Sequence, residues 1–102
     1  MRVEFAPSAR NDLDEIFEYV RDASGDANVA ESYVARIVRR CLTIGDAPYT
    51  GVDRSDLVSG VRMTTFERHV AIFYRVDDDR VDIIGIFSRG RDYEAIMKDQ
   101  RG

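Results

Sequence analysis

Cysteine, histidine and lysine are each nearly absent from this chain, which holds one of each, Cys41, His69 and Lys98, among 102 residues. A lone cysteine cannot form an intrachain disulfide, and one cysteine with one histidine is no basis for a zinc site. Metal and cofactor ligands are therefore not expected. Cys41 falls on the apolar side of a predicted helix, where a thiol packs as a small core residue. Apolar runs long enough to cross a bilayer, about 20 residues, are also missing. The start, Met1-Arg2-Val3-Glu4-Phe5, puts an acid inside the first apolar run and offers no secretory h-region, so a cytoplasmic protein is expected. Positive charge is in deficit too, with a net charge of −4 and a pI near 4.9. Tight general nucleic-acid binding draws its affinity from cations that displace phosphate counterions. That balance argues against a free-standing nuclease and against direct sequence-specific nucleic-acid binding.

What is present describes one domain over residues 1–102, with 44% apolar and 33% charged residues. A chain of this length can bury roughly two-thirds of the surface it exposes when unfolded. Residues 2–5 alternate as a short strand, and Pro7 suits the first turn of a helix. Ala9, Leu13, Ile16, Phe17 and Val20 recur at helical spacing, with Arg10, Asp12, Asp14, Glu15 and Glu18 between them. Ala6 is a poor N-cap, so the start of that helix is weakly signalled. Ser24-Gly25-Asp26 interrupts the pattern. Ala30, Tyr33, Val34, Ile37, Val38, Cys41 and Leu42 then form a second stripe, so the two helices make an antiparallel hairpin. Arg36, Arg39 and Arg40 fall toward the end of the second helix, where cations suit its dipole or serve a partner.

The stretch from Gly45 to Gly60 has loop chemistry and is long for a passive connection, which suggests a binding role. Three β-rich runs follow, Val61–Phe66, Val70–Val76 and Val81–Phe87, and read as an antiparallel meander. Asp77-Asp78-Asp79 is a turn between two of them and not a cation site. Arg91 to Met97 reads as a short helix or ordered tail. The fold class is α+β: an N-terminal strand, a helical hairpin, a three-stranded antiparallel meander in one sheet, and the tail.

Arg54, Arg62, Arg75, Arg89 and Arg91 lie near strand starts and ends, and two readings stand side by side. Should they converge, they make a multidentate cationic site for carboxylate or phosphate. Otherwise each is paired internally, Arg62 or Arg91 with Asp56 or Asp92, and holds the loop and tail to the sheet. Phe73 and Tyr74 are successive strand residues and point to opposite faces, at least one of them into the core. His69, at the start of that strand, reads as a partly exposed edge residue, and Tyr93 either packs the tail or faces solvent.

Several short patterns stand out along the chain: Ala9, Asp12, Leu13 and Ile16 on the first helix, Pro48 and Gly51 after the second, Arg54 with Asp56-Leu57, Gly60-Val61-Arg62, Ile72-Phe73-Tyr74-Arg75, and Arg91-Asp92. Together they resemble the ParE branch of the RelE/ParE toxins of bacterial toxin–antitoxin modules. Ser88 departs from the pattern, since many relatives carry His there. The resemblance implies the strand, helix pair, meander and tail order already read from the residues. It also implies two chemistries, poisoning of DNA gyrase without bond cleavage and ribosome-dependent mRNA cleavage. The second needs a general acid or base and cations at the scissile phosphate. Arg62, Arg89 and Tyr93 are the residues that would supply it, and no other catalytic residue is expected. The acidic, lysine-poor composition favours the gyrase poison; an inactive antitoxin-binding relative is the third option. Under the leading reading Arg54, Arg62, Arg89, Arg91 and Tyr93 contact the target or the antitoxin. A ParD-like antitoxin is implied as partner in a hetero-oligomer, received on a groove expected at Leu13, Phe17, Tyr33 and Ile37, or along a sheet edge.

Overall fold

The protein is described by a computed structural model covering residues 1–88 and 91–101. Its elements are β1 (Arg2–Phe5), α1 (Pro7–Ser24), α2 (Ala27–Ile44), β2 (Val52–Asp53), β3 (Val61–Phe66), β4 (Val70–Asp77), β5 (Arg80–Ser88) and α3 (Tyr93–Gln100). They form one five-stranded sheet in the order β1-β5-β4-β3-β2. The meander is antiparallel as expected, while β1 joins β5 in parallel through Arg2↔Arg80 to Phe5↔Ile83. The helical crossover between β1 and the later strands is what allows that parallel pairing.

The helix ends follow from local chemistry. Pro7 opens α1 without a side-chain cap from Ala6, and Gly25 closes it at φ 72, where its N–H reaches the Arg21 carbonyl at 2.8 Å. A left-handed backbone is cheapest for glycine, so the break falls at that residue. Asp26 then caps α2 by accepting from the Asn28 N–H at 2.8 Å. The hairpin lies against one face of the sheet and builds the larger core from Ala9, Ile16, Ile37, Cys41, Ile44, Ile72, Tyr74, Val81, Ile83 and Ile86. Cys41 is wholly buried, and burial pushes its thiol up to about 12. Leu42, expected in the stripe, is half exposed. Ile37, Cys41 and Ile44 follow one line at helical spacing, and Leu42 is turned about 100° from Cys41 around the axis.

Cross-strand register assigns each residue of the sheet to a face. Arg62 lies opposite Tyr74, and Met63 opposite Phe73. Tyr74 belongs to the helix-side core, whereas Phe73 belongs to a second core on the other face. Both successive aromatics are therefore buried. A bulge between Phe73 and Tyr74 pairs Phe73 with Gly85 and Tyr74 with Ile83, leaving Ile84 as the extra residue. The second core holds Leu57, Val58, Val61, Phe73, Ile84, Phe87 and Met97, and its cover comes from α3 and the segment before β3.

The long segment from Gly45 to Gly60 is anchored rather than free. The buried Tyr74 hydroxyl donates to the Pro48 carbonyl at 2.8 Å and accepts from the Gly51 N–H at 3.0 Å. A Cβ at Gly51 would collide with that hydroxyl, so glycine is required by close approach. The segment also adds a strand the sequence did not disclose, β2, paired with β3 through Val52↔Met63 and Asp53↔Arg62.

Candidate functional site

β5 outruns its parallel partner. β1 stops at Phe5, opposite Ile83, and at Ile84 and Ile86 side chains replace the missing strand. Ser8 Oγ donates to the Ile84 carbonyl at 2.8 Å, and the Ile86 N–H donates to Asp12 Oδ2 at 2.9 Å. Asp12 is 4% exposed, the one charged residue among the buried ones described. Arg101 answers it with two bonds, Nη1 to Oδ2 at 2.7 Å and Nη2 to Oδ1 at 2.8 Å, while its guanidinium lies over the Phe87 ring at 4.7 Å. A buried carboxylate is tolerable when it is paired and its remaining lone pairs are filled, and both conditions hold here. Gly85 leaves the room, because a Cβ there would meet Phe87 at 2.7 Å, Arg101 at 2.9 Å and Met97 at 3.2 Å.

Beyond that plug lies a cleft of about 460 Å³ between α1, α2 and the open end of β5. Ile16, Tyr19, Val20, Tyr33 and Ile86 supply its apolar wall, and Glu15, His69, Ser88 and Arg91 its polar rim. Tyr19 is 73% exposed, an unusual position for a large aromatic on a small domain. Burial and the neighbouring Glu67 push the Tyr33 phenol above its ordinary range, partly offset by Arg36. A smaller cleft of about 230 Å³ lies on the opposite face, over Met63, Thr65, Ala71, Phe87 and Tyr93, and shares His69, Ser88 and Arg91 with the first.

Of the residues expected in an antitoxin groove, Tyr33 lines the larger cleft, but Ile37 is wholly buried and lines no surface. Leu13 packs onto the helix-side core, and Phe17 lies under the Arg21 guanidinium at 5.9 Å. The cleft is formed instead by Ile16, Tyr19 and Val20, one step around α1. Asp12, Ile16, Tyr19 and Val20 recur at i, i+4, i+7 and i+8, a stripe that was readable but begins with an acid.

The arginines divide among separate partners. Arg54 bonds Asp56 at 3.0 Å and Glu94 at 2.9 Å, joining the segment before β3 to the first turn of α3. The Asp56 bond, and then Glu94, raise its affinity for the proton, and Asp56 is in turn held below the usual carboxylate range. Arg62 donates to the Tyr49 and Gly51 carbonyls at 3.1 and 2.9 Å and lies over the Tyr49 ring at 5.4 Å. Arg91 pairs with Glu15 at 3.1 Å, bridging to α1. The internal reading thus describes Arg54, Arg62 and Arg91, but neither Arg62 nor Arg91 takes Asp56 or Asp92, and Asp56 is held by Arg54 instead. Arg75 is exposed on the face away from the helices, opposite Val61 and Asp82. Arg89 lies outside the described residues. Tyr93 packs on Phe73, ring centroids 5.3 Å apart, and is half-buried there. Because Arg62 shares the face of Tyr74 and Tyr93 that of Phe73, the sheet stands between them.

Arg40 donates to Thr43 Oγ1 in the last turn of α2 at 3.0 Å, and both Arg36 and Arg40 also leave the helix. They reach the β3–β4 hairpin and β3 itself, Arg36 to Glu67 at 3.3 Å and Arg40 to Thr64 at 2.7 Å. His69 precedes β4, and its N–H closes the hairpin turn on the Phe66 carbonyl at 3.1 Å. Asp77 and Asp79 border Arg80 and Arg2, and no group of three or more His, Cys, Asp or Glu among the described residues could hold a metal. No described helix is long and apolar enough to cross a membrane.

Comparison with solved structures gives the same architecture. A chain from the chromosomal ParDE TA system from P. aeruginosa superposes with a TM-score of 0.75 at 27% identity, covering 87% of this chain and 96% of that one. The toxin–antitoxin complex RelBE2 from Mycobacterium tuberculosis gives 0.60 at 19% identity, over 86% and 96%, a likeness of fold. No curated protein matches the chain significantly. The class is therefore that of the RelE/ParE-like α+β toxin folds. Within it, residues 3–93 match the ParE toxin of type II toxin-antitoxin system, parDE, and the chain belongs to that family.

Proposed function

We propose that this ParE-type toxin acts by binding DNA gyrase and halting it at the cleaved-DNA stage, and that a ParD-like antitoxin neutralises it. The observation that carries the reading is the separation of Arg62 from Tyr93 by the sheet, with Arg62 already spent on two backbone carbonyls. A phosphodiester in flight needs cation and acid–base groups converging on one phosphorus, and this pair converges on none. The antitoxin half is supported by the larger cleft, whose apolar wall, polar rim and open strand end suit an amphipathic segment. The complex is then a toxin–antitoxin hetero-oligomer.

The test is a supercoiling assay with purified gyrase and a toxin concentration series. Loss of supercoiling with accumulation of cleaved DNA is expected, and relief by the antitoxin. Unaffected gyrase together with cut message in a ribosome-containing extract would reject the reading in favour of mRNA cleavage.

A further inference from the structure

The β3–β4 hairpin tip turns through two residues that both hold a left-handed backbone, Glu67 at φ 50 and Arg68 at φ 63. Such a turn matches the twist of a two-residue hairpin and is normally made by Asn-Gly or Asp-Gly. Two long side chains there are strained relative to glycine, and strain of this kind persists where the surroundings or the role of the side chain require it. Glu67 has a visible role, since Arg36 of α2 holds it at 3.3 Å. Arg68 has none: it is exposed, and no acidic partner is found for it among the described residues. His69, the next residue, is likewise exposed and unpaired among them. In a protein with a net charge of −4, Arg68 lines the smaller cleft and His69 lines both.

We propose that the tip is a reader of negative charge: an extended partner segment fills the apolar cleft, crosses the end of the sheet, and sets a carboxylate against Arg68 and His69. The inference rests on the antitoxin reading of the larger cleft. The occupant is a peptide whose apolar residues face Tyr19 and Tyr33 and whose acidic residue follows at the crossing. His69, Ser88 and Arg91 border both clefts, so one segment can pass from one to the other without leaving the surface. Of the two described arginines that line the clefts, Arg91 is paired with Glu15, and Arg68 has no acidic partner among the described residues.

The experiment selects a library of random linear peptides on the intact protein and on Tyr19→Arg, Arg68→Glu and Arg68→Gly. Wild type should enrich peptides with an acidic residue at a fixed distance from an apolar pair. Those peptides should bind about fivefold more weakly to Arg68→Gly, the scale of one exposed ion pair, and Arg68→Glu should select a basic residue at the same position. Arg68→Gly should also melt at a higher temperature, because glycine accepts the turn without strain. Weaker binding by a more stable protein excludes damage to the fold. Peptides lost on Tyr19→Arg but without an acidic preference would overturn the inference and leave the cleft reading standing. No enrichment, or binders indifferent to Tyr19→Arg, would overturn both. Binding of a single-stranded DNA oligonucleotide that disappears in Arg68→Glu would assign the tip to phosphodiesters and overturn the proposal.

Discussion

The two faces of the sheet are covered by very different amounts of structure. One face lies under two 18-residue helices, and its core runs from Ala9 on α1 to Ile86 on β5. The other is covered by α3, eight residues long, and by Leu57 and Val58. Isolated helices shorter than about 12–15 residues are marginal in water, so α3 depends on its docking. Tyr93, Ile96 and Met97 dock it on the second core, Glu94 bonds Arg54, and Arg101 just after it bonds Asp12. The helical hairpin therefore carries the stability of the domain, and the opposite face is the one that can change without unfolding it.

The comparison breaks if substitutions on the two faces cost the same. Ile37→Ala, in the helix-side core, should lower stability by about 4 kcal/mol, read as a fall in the urea midpoint for the whole domain. Asp12→Ala should cost about 3 kcal/mol, because it strands the Arg101 guanidinium and the Ile86 N–H together. A double-mutant cycle with Arg101→Met should recover part of that loss, and strict additivity would refute the pairing. Met97→Ala should cost about 2 kcal/mol and act locally. Hydrogen exchange should quicken in α3 while β4 and β5 remain protected, and equal loss of protection throughout would merge the two faces into one cooperative unit.

Smaller effects come from pH. The Cys41 thiol ionises near 9 in the unfolded chain and near 12 when folded, so between those values the unfolded state binds fewer protons. Stability contributed by burying the neutral thiol is complete below pH 9 and declines as pH rises through that window. Cys41→Ala should lose that alkaline slope in thermal melts. On the acidic side, Ser55 hydrogen bonds hold Asp53 below its ordinary range, and Arg54 does the same for Asp56. Their contribution is present above the ordinary carboxylate range and is lost as pH falls through their depressed values. Because both groups are fully exposed to solvent, the acid slope should be shallow and should shrink further in salt.

The sequence was legible where structure is local. Alternation at residues 2–5 and the β-rich run at 61–66 gave β1 and β3 with their observed limits, and the helical periods gave α1 and α2. The later strands extend one residue past the expected runs, to Asp77 and to Arg80 and Ser88, because hairpin pairing continues into charged positions. What was not legible depends on chain-distant partners. β2 exists because two residues of an irregular segment meet β3, and no periodicity announces a strand that short. Asp12 looked like a solvent position between apolar neighbours, and its burial is intelligible once Ile86 and Arg101 are beside it. Arg62 read as a contact residue, yet its bonds are to backbone carbonyls that carry no sequence signature.

The pairing of Asp12 with Arg101 also has a consequence in time. Their separation of 89 positions means that the carboxylate is synthesised long before its counter-charge. Until then the nascent domain carries a naked anion in an oily wall, a defect that no earlier arginine is placed to mend among the described residues. Closure of this wall is thus expected to wait on the emergence of Arg101, however quickly the helices and hairpins form.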